Sequence, residues 1–147
     1  MRVENRKARF DYEIKDRIEA GVQLTGPEVK AAKLGQVEFG SAHAKIGPSK
    51  FRGQHEVWLA GMQIFPYKHA DNANYDSMRT RKLLLHQKEI LGLQTKMKSG
   101  GLTLIPTAIY TKSGLVKIEL GLARGKRKYE KREVIKERES RRAGEWK

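Results

Sequence analysis

Val116, Ile118, Leu120 and Leu122 occupy every second position of one run, with Lys117, Glu119 and Gly121 between them. A period of two puts the four apolar side chains on one face of an extended strand and the intervening residues on the other, which no helix can do. One such strand cannot cover its own apolar face, so the chain must build a sheet that closes over a core. The first partner lies next to it. Residues 102–110 are largely apolar and lead through Thr111-Lys112-Ser113-Gly114 into the alternating run, which predicts a hairpin.

Other segments follow the same two periods. Phe10, Tyr12 and Ile14 alternate with charged residues, and Val22 and Leu24 repeat the pattern, predicting strands that run into one another. Thr25-Gly26-Pro27 reads as a helix start and Gly35 as its stop, with a short amphipathic helix between them. Ala42, Ala44 and Ile46 alternate until Gly47-Pro48 breaks the run, and residues 56–65 read as a strand interrupted by a bulge or bend at Gly61. Residues 66–79 have no period and predict an exposed loop. From 82 to 98 the period is helical, with Leu83, Ile90 and Met97 on one line, Leu84, Leu91 and Leu93 beside it, and Leu85 projecting away. Gly100-Gly101 is the expected stop. About six short strands with interspersed helices and no βαβ repeat predict a mainly β chain. Its residues 1–123 form a small antiparallel β-barrel with flanking helices.

Residues 124–147 cannot belong to that core. Lys126 to Arg142 contains nine Lys or Arg and four Glu, with only Tyr129, Val134 and Ile135 as sizeable apolar or aromatic residues. Too little apolar surface is present to offset the ordering entropy, so the tail is expected to be disordered when free. On a helical wheel, however, Lys128, Lys131, Arg132, Ile135 and Arg142 share one side, while Glu130, Glu133 and Glu137 face the other. A solvated basic tail and a segment that becomes helical on an anionic partner both fit the composition, and the sidedness favours the second. Tyr129 has no apolar neighbour to pack against and suits stacking on a nucleobase.

The charge points the same way. The net charge is +14; taking nine minus four from it for Lys126 to Arg142 leaves +9 for the rest. A basic body with a basic arm is the footprint of a nucleic-acid binder. No apolar run could span a bilayer, no secretory pattern opens the chain, and it contains no Cys. A cytoplasmic protein without membrane partners, disulfides or cysteine-ligated metal is expected. His43, His55, His69 and His86 lack metal-ligand spacing, so no metal site is predicted. Residues 121–126 fail as a phosphate loop because Arg127 stands where Ser or Thr is required. No nucleophile elbow, paired-acid motif or dinucleotide fingerprint is present, so no catalytic residue and no cofactor are expected. An RNA-processing enzyme using Glu19, Glu28 or a histidine would need groups at matched spacing, and none is visible.

Five ordered blocks carry a resemblance: NRKARFDYEI near the start, EAGVQLTGPEVKAAKLG from Glu19, RTRKLLL from Arg79, VKIELGLARGKRKYEKR from Val116 and IKERE from Ile135. Together they resemble the small protein B family, the tmRNA-binding proteins of bacterial trans-translation, along nearly the whole chain. The resemblance implies an oligonucleotide-binding-type (OB-like) barrel, no catalysis, and binding to the tRNA-like domain of tmRNA. It also implies delivery to stalled ribosomes with elongation factor Tu and GTP engaged through tmRNA, and a protein that is monomeric when free. The tail would become helical in the empty mRNA channel and occupy the decoding centre.

By motif, Asn5, Glu19, Leu84 and Lys117 correspond to family positions tied to tmRNA binding. Lys117 can neutralise a phosphate and Asn5 can pair with a base edge or ribose, whereas Glu19 would bond base edges or orient a basic neighbour. Leu84 is open to either core packing or RNA contact. His86 stands where many members have Asn and is carried over with that change. Arg79, Arg81 and Lys82 are added on charge as phosphate contacts. In the tail, the ribosome-facing positions are Arg124, Lys126, Arg127 and Lys128 at its root. Beyond them come Tyr129, Glu130, Lys131 and Arg132, followed by Ile135, Lys136, Arg138 and Arg142. The family's Asp-Lys-Arg appears as Glu130-Lys131-Arg132, which preserves charge. The ending RRAGEWK is shorter than in many members, so contacts deep in the channel are expected to be reduced. A generic basic ribosomal or ribosome-assembly protein would share the charge distribution but not the five blocks.

Overall fold

Six antiparallel strands close into a ring, as the period-two runs require. The computed structural model describes residues 1–126, 132–133 and 135–139. Its elements are β1 (Arg2–Glu4), α1 (Arg6–Asp11), β2 (Tyr12–Val22), α2 (Gly26–Lys33), β3 (Val37–Glu38), β4 (His43–Pro48), β5 (His55–Ala60), β6 (Gln63–Ile64), β7 (Arg81–Leu84), α3 (Gln87–Gly100), β8 (Thr103–Lys112) and β9 (Leu115–Gly125). Around the ring the order is β8-β4-β5-β7-β2-β9, with β9 pairing back onto β8. The seam is narrow, because β8 meets β4 only at Leu104 opposite Ala44 and then passes its edge to β1. Strands β3 and β6 form a separate two-stranded sheet.

The alternation of β9 is realised on both faces. Ile118, Leu120 and Leu122 are at most 1% exposed and join Ala20, Val57, Leu59 and Ile109 in the core, while Lys117 and Glu119 face outward. Ser113 and Gly114 both have positive φ, the backbone of a tight hairpin turn between Lys112 and Leu115. Strand β2 carries a bulge between Ile14 and Asp16, and β8 another between Pro106 and Ala108. Gly121 lies between these irregularities, where a Cβ would sit 2.9 Å from methyl carbons of both Ile14 and Thr107. Gly121→Ala is therefore expected to lower stability by about 1–3 kcal/mol, measurable by urea unfolding.

Helix α2 begins as its sequence predicts. Thr25 accepts from the Glu28 amide and Glu28 from the Thr25 amide, closing a capping box. Helix α3 ends at Gly101, whose φ of 60° lets the chain turn out.

Four expectations are corrected. The helix read from residue 82 begins at Gln87, and Arg81–Leu84 is a strand. Three consecutive leucines satisfy either period, and backbone pairing with β5 and β2 decides for the strand. Leu83 thereby points inward at 2% exposure, and Leu85 packs against the core instead of projecting away. Phe10 lies in α1, not in a strand, because Asn5 caps a turn of helix before β2 begins. Gly47-Pro48 does not break β4, which runs through Pro48. The last barrel strand runs on to Gly125 and includes Arg124.

Candidate nucleic-acid interface

On the outer face of the barrel, Lys117 on β9, Gly21 on β2 and Leu84 on β7 lie in one cross-strand row. Gly21 is the low point of that row. A Cβ there would meet the Leu84 Cβ at 3.1 Å, so the missing side chain lets Leu84 lie across β2 at 48% exposure. Glu19, Leu85, His86 and Glu89 complete the wall of a depression of about 440 Å³ over this row. Four of the sequence-predicted residues, Glu19, Leu84, His86 and Lys117, therefore line one concavity. His86 is exposed at the start of α3, where its backbone N–H donates to Glu89 at 3.0 Å.

Glu19 is engaged by its neighbours on β8. The Tyr110 hydroxyl donates to its carboxylate, and the Lys112 ammonium lies 3.4 Å away. The Tyr110 hydroxyl holds the Glu19 carboxyl below the usual carboxylate range, with Lys112 and Lys117 adding to the effect. Burial, and then the Glu19 carboxylate, push the Tyr110 hydroxyl up to about 12. Glu19 thus stays ionised at neutral pH and fixes an aromatic ring and an ammonium at the rim of the depression. Among the described residues Lys117 has no hydrogen-bond or ion-pair partner, leaving its charge available to an anion. Gly21, Tyr110 and Lys112 were not among the residues expected from the sequence. A glycine inside an alternating strand was the available sign of close approach.

Two of the predicted residues are buried and bonded inside the fold. Asn5 is 4% exposed; its amide donates to the Pro106 carbonyl at 2.7 Å and its oxygen accepts from the Ala8 amide at 3.2 Å. One amide N–H and the amide oxygen are thus engaged inside the fold. Arg81 is wholly buried, donating to Glu28 Oε2 at 2.6 and 2.9 Å and to the Met62 and Ser77 carbonyls at 2.8 and 3.0 Å. It cannot reach a phosphate, because a β-strand alternates and Arg81 falls on the inward side. Arg79 also donates to Glu28 but remains partly exposed, and Lys82 lies outward, paired with Glu56 at 3.2 Å.

The tail leaves the barrel beside α1. Arg124 pairs with Glu13 across the β2–β9 ladder, so it belongs to the barrel wall. The Lys126 amide donates to the Asp11 carbonyl at 2.9 Å and its ammonium to the Arg9 carbonyl at 3.0 Å. Arg132, Glu133 and residues 135–139 are helical and exposed, which places Ile135, Lys136 and Arg138 within a helix. The Arg138 guanidinium lies 5.7 Å from the Phe10 ring centroid. The expectations for Arg127, Lys128, Tyr129, Glu130, Lys131 and Arg142 lie outside the described residues.

A family model described as SmpB protein matches residues 2–146. The SsrA-binding protein of Chlorobaculum tepidum is 51% identical over 141 residues, covering 95% of this chain and 86% of its own length. That of Desulfitobacterium hafniense is 47% identical over 139 residues, with 95% and 85% covered. Among solved structures, a chain described under "tmRNA-SmpB: a journey to the center of the bacterial ribosome" aligns with a TM-score of 0.68 and 42% identity. It covers 91% of this chain and 94% of its own.

Proposed function

This chain belongs to the SmpB protein family, and from that premise we propose that it binds tmRNA and brings it to stalled ribosomes as a non-enzymatic adaptor of trans-translation. The observation that carries the reading is the concave row of Lys117, Gly21 and Leu84 with Glu19 at its rim. A cation without a partner can take a phosphate, an exposed leucine can take the face of a base or ribose, and a glycine lets the RNA backbone approach the sheet. The tRNA-like domain of tmRNA is the part that engages this wall, elongation factor Tu with GTP is reached only through tmRNA, and the protein acts as a cytoplasmic monomer. Its tail, rooted on α1, enters the mRNA channel and decoding centre.

Titration of tmRNA and of an unrelated folded RNA across a salt series tests this. Lys117→Ala should flatten the slope of log K against log salt by roughly 0.9, the contribution of one phosphate. Leu84→Ala should weaken binding at every salt concentration alike. Equal affinity of the unaltered protein for both RNAs would overturn the reading.

A further inference from the structure

A second outward row lies beside the first. Lys45 on β4, Trp58 on β5 and Lys82 on β7 are cross-strand neighbours. Trp58 is 38% exposed although Val57 and Leu59 on either side are fully buried. Its indole N–H donates to one oxygen of Glu56 at 3.2 Å, and the Lys82 ammonium donates to the other at 3.2 Å. Glu56 therefore holds an aromatic ring and an ammonium at the surface, as Glu19 holds Tyr110 and Lys112. Next to Trp58, the loop between β4 and β5 overhangs a depression of about 210 Å³ lined by Phe51, Glu56, Lys82 and Leu84. Phe51 is 59% exposed, with the Lys50 ammonium 5.5 Å from its ring centroid.

Leu84 lines both depressions, so the two rows form one continuous surface across β7. We propose that the tmRNA interface continues over Leu84 onto this patch, where Trp58 stacks an unpaired base and Lys45, Lys50 and Lys82 take the flanking phosphates. The inference rests on the tmRNA-binding reading above and adds a second subsite to it. Two exposed rings among three lysines suit a splayed nucleotide, since each base offers a π-face and each linkage an anion. A paired helix keeps its base faces covered, and an apolar protein surface would have to desolvate the lysines without compensation.

The chain contains two tryptophans, Trp58 and Trp146, so a Trp146→Phe background makes Trp58 the sole indole reporter. In that background, adding tmRNA should quench the fluorescence. In the unaltered chain, Trp58→Ala should weaken tmRNA binding roughly 5- to 150-fold, the range set by loss of one stacked base, and Trp58→Phe should recover most of it. Lys117→Ala serves as the control for the first depression. Absence of quenching, with Trp58→Ala at full affinity while Lys117→Ala weakens binding, would overturn the second subsite and leave the adaptor reading standing. Trp58→Ala that spares tmRNA binding but abolishes binding of the isolated ribosome would also overturn it. Indifference to both substitutions, with no preference for tmRNA, would instead remove the reading on which it rests. Because Phe keeps the ring, failure of Trp58→Phe to recover affinity in a chain with an unchanged melting temperature also counts against stacking.

Discussion

Replacing Glu28 with Ala is expected to cost about 3–5 kcal/mol and to lower the melting temperature by roughly 10–20 °C. Glu28 is buried on α2 with both oxygens occupied. Arg79 and Arg81 donate to it from the far end of the 66–80 loop, Thr25 donates its amide at 3.0 Å and Tyr75 its hydroxyl at 3.2 Å. Removing the carboxylate leaves Arg81 charged and 0% exposed, and an uncompensated buried charge is among the largest single-site penalties. Glu28→Gln should be nearly as damaging, since it keeps the shape but not the charge. The same cluster gives a pH dependence. Burial would raise the Glu28 pKa, but hydrogen bonds from Arg79, Thr25 and Arg81 outweigh it and bring it from 4.5 to about 2. The unfolded chain therefore binds the proton first as pH falls. The stabilisation, about 3 kcal/mol, is complete above pH 4.5 and disappears as pH falls through that window towards 2. Urea unfolding of both proteins between pH 6 and 2 checks this: an acid-labile component of that size that persists in Glu28→Ala would refute the assignment. Loss of Glu28 should also reduce tmRNA binding, because Arg79 and Arg81 fix the start of β7, the strand that carries Lys82 and Leu84.

Reversing the charge at Lys131 and Arg132 together should abolish peptide tagging on stalled ribosomes while leaving tmRNA affinity close to that of the unaltered protein. The root of the tail is held by Lys126 on the carbonyls of Arg9 and Asp11, at the α1 end of the barrel. The Lys117–Gly21–Leu84 wall is built by β9, β2 and β7, and among the described residues none of the tail lines it. The two surfaces can therefore fail separately. Truncation after Gly125, where β9 ends, should give the same split. Parallel loss of tmRNA binding and tagging in either variant would show that the tail belongs to the tmRNA interface, contrary to the proposal. A generic ribosome-assembly protein, the competing reading of the charge pattern, predicts no tagging phenotype of its own.

The elements most legible in the sequence are those whose period admits one answer. Strict alternation in residues 116–122 could only be a strand, the capping residues around Thr25 could only start a helix, and Gly61 and Gly101 adopt the positive φ that glycine permits. The run Lys82-Leu83-Leu84-Leu85 was ambiguous because its leucines fit both periods, and pairing with β5 and β2 resolved it. Charge was similarly incomplete as a guide to the site. Arg79, Arg81 and Lys82 look alike as phosphate ligands in the chain, yet one is fully buried, one is half engaged with Glu28 and one faces outward.

The amino-acid sequence alone determined a mainly β barrel and a strongly basic C-terminal segment. These follow from composition and from contacts between near neighbours in the chain. Only the tertiary structure decided that Lys117, Gly21 and Leu84 share a row, that Glu19 clasps Tyr110, and that Arg81 is buried against Glu28. Glu19 and Tyr110 are 91 residues apart and Arg81 and Glu28 are 53 apart. The first pair is set by the register of strands around the closed barrel, where a shift of one residue would exchange the inward and outward faces, and the second by the docking of α2 against the strand that carries Arg81.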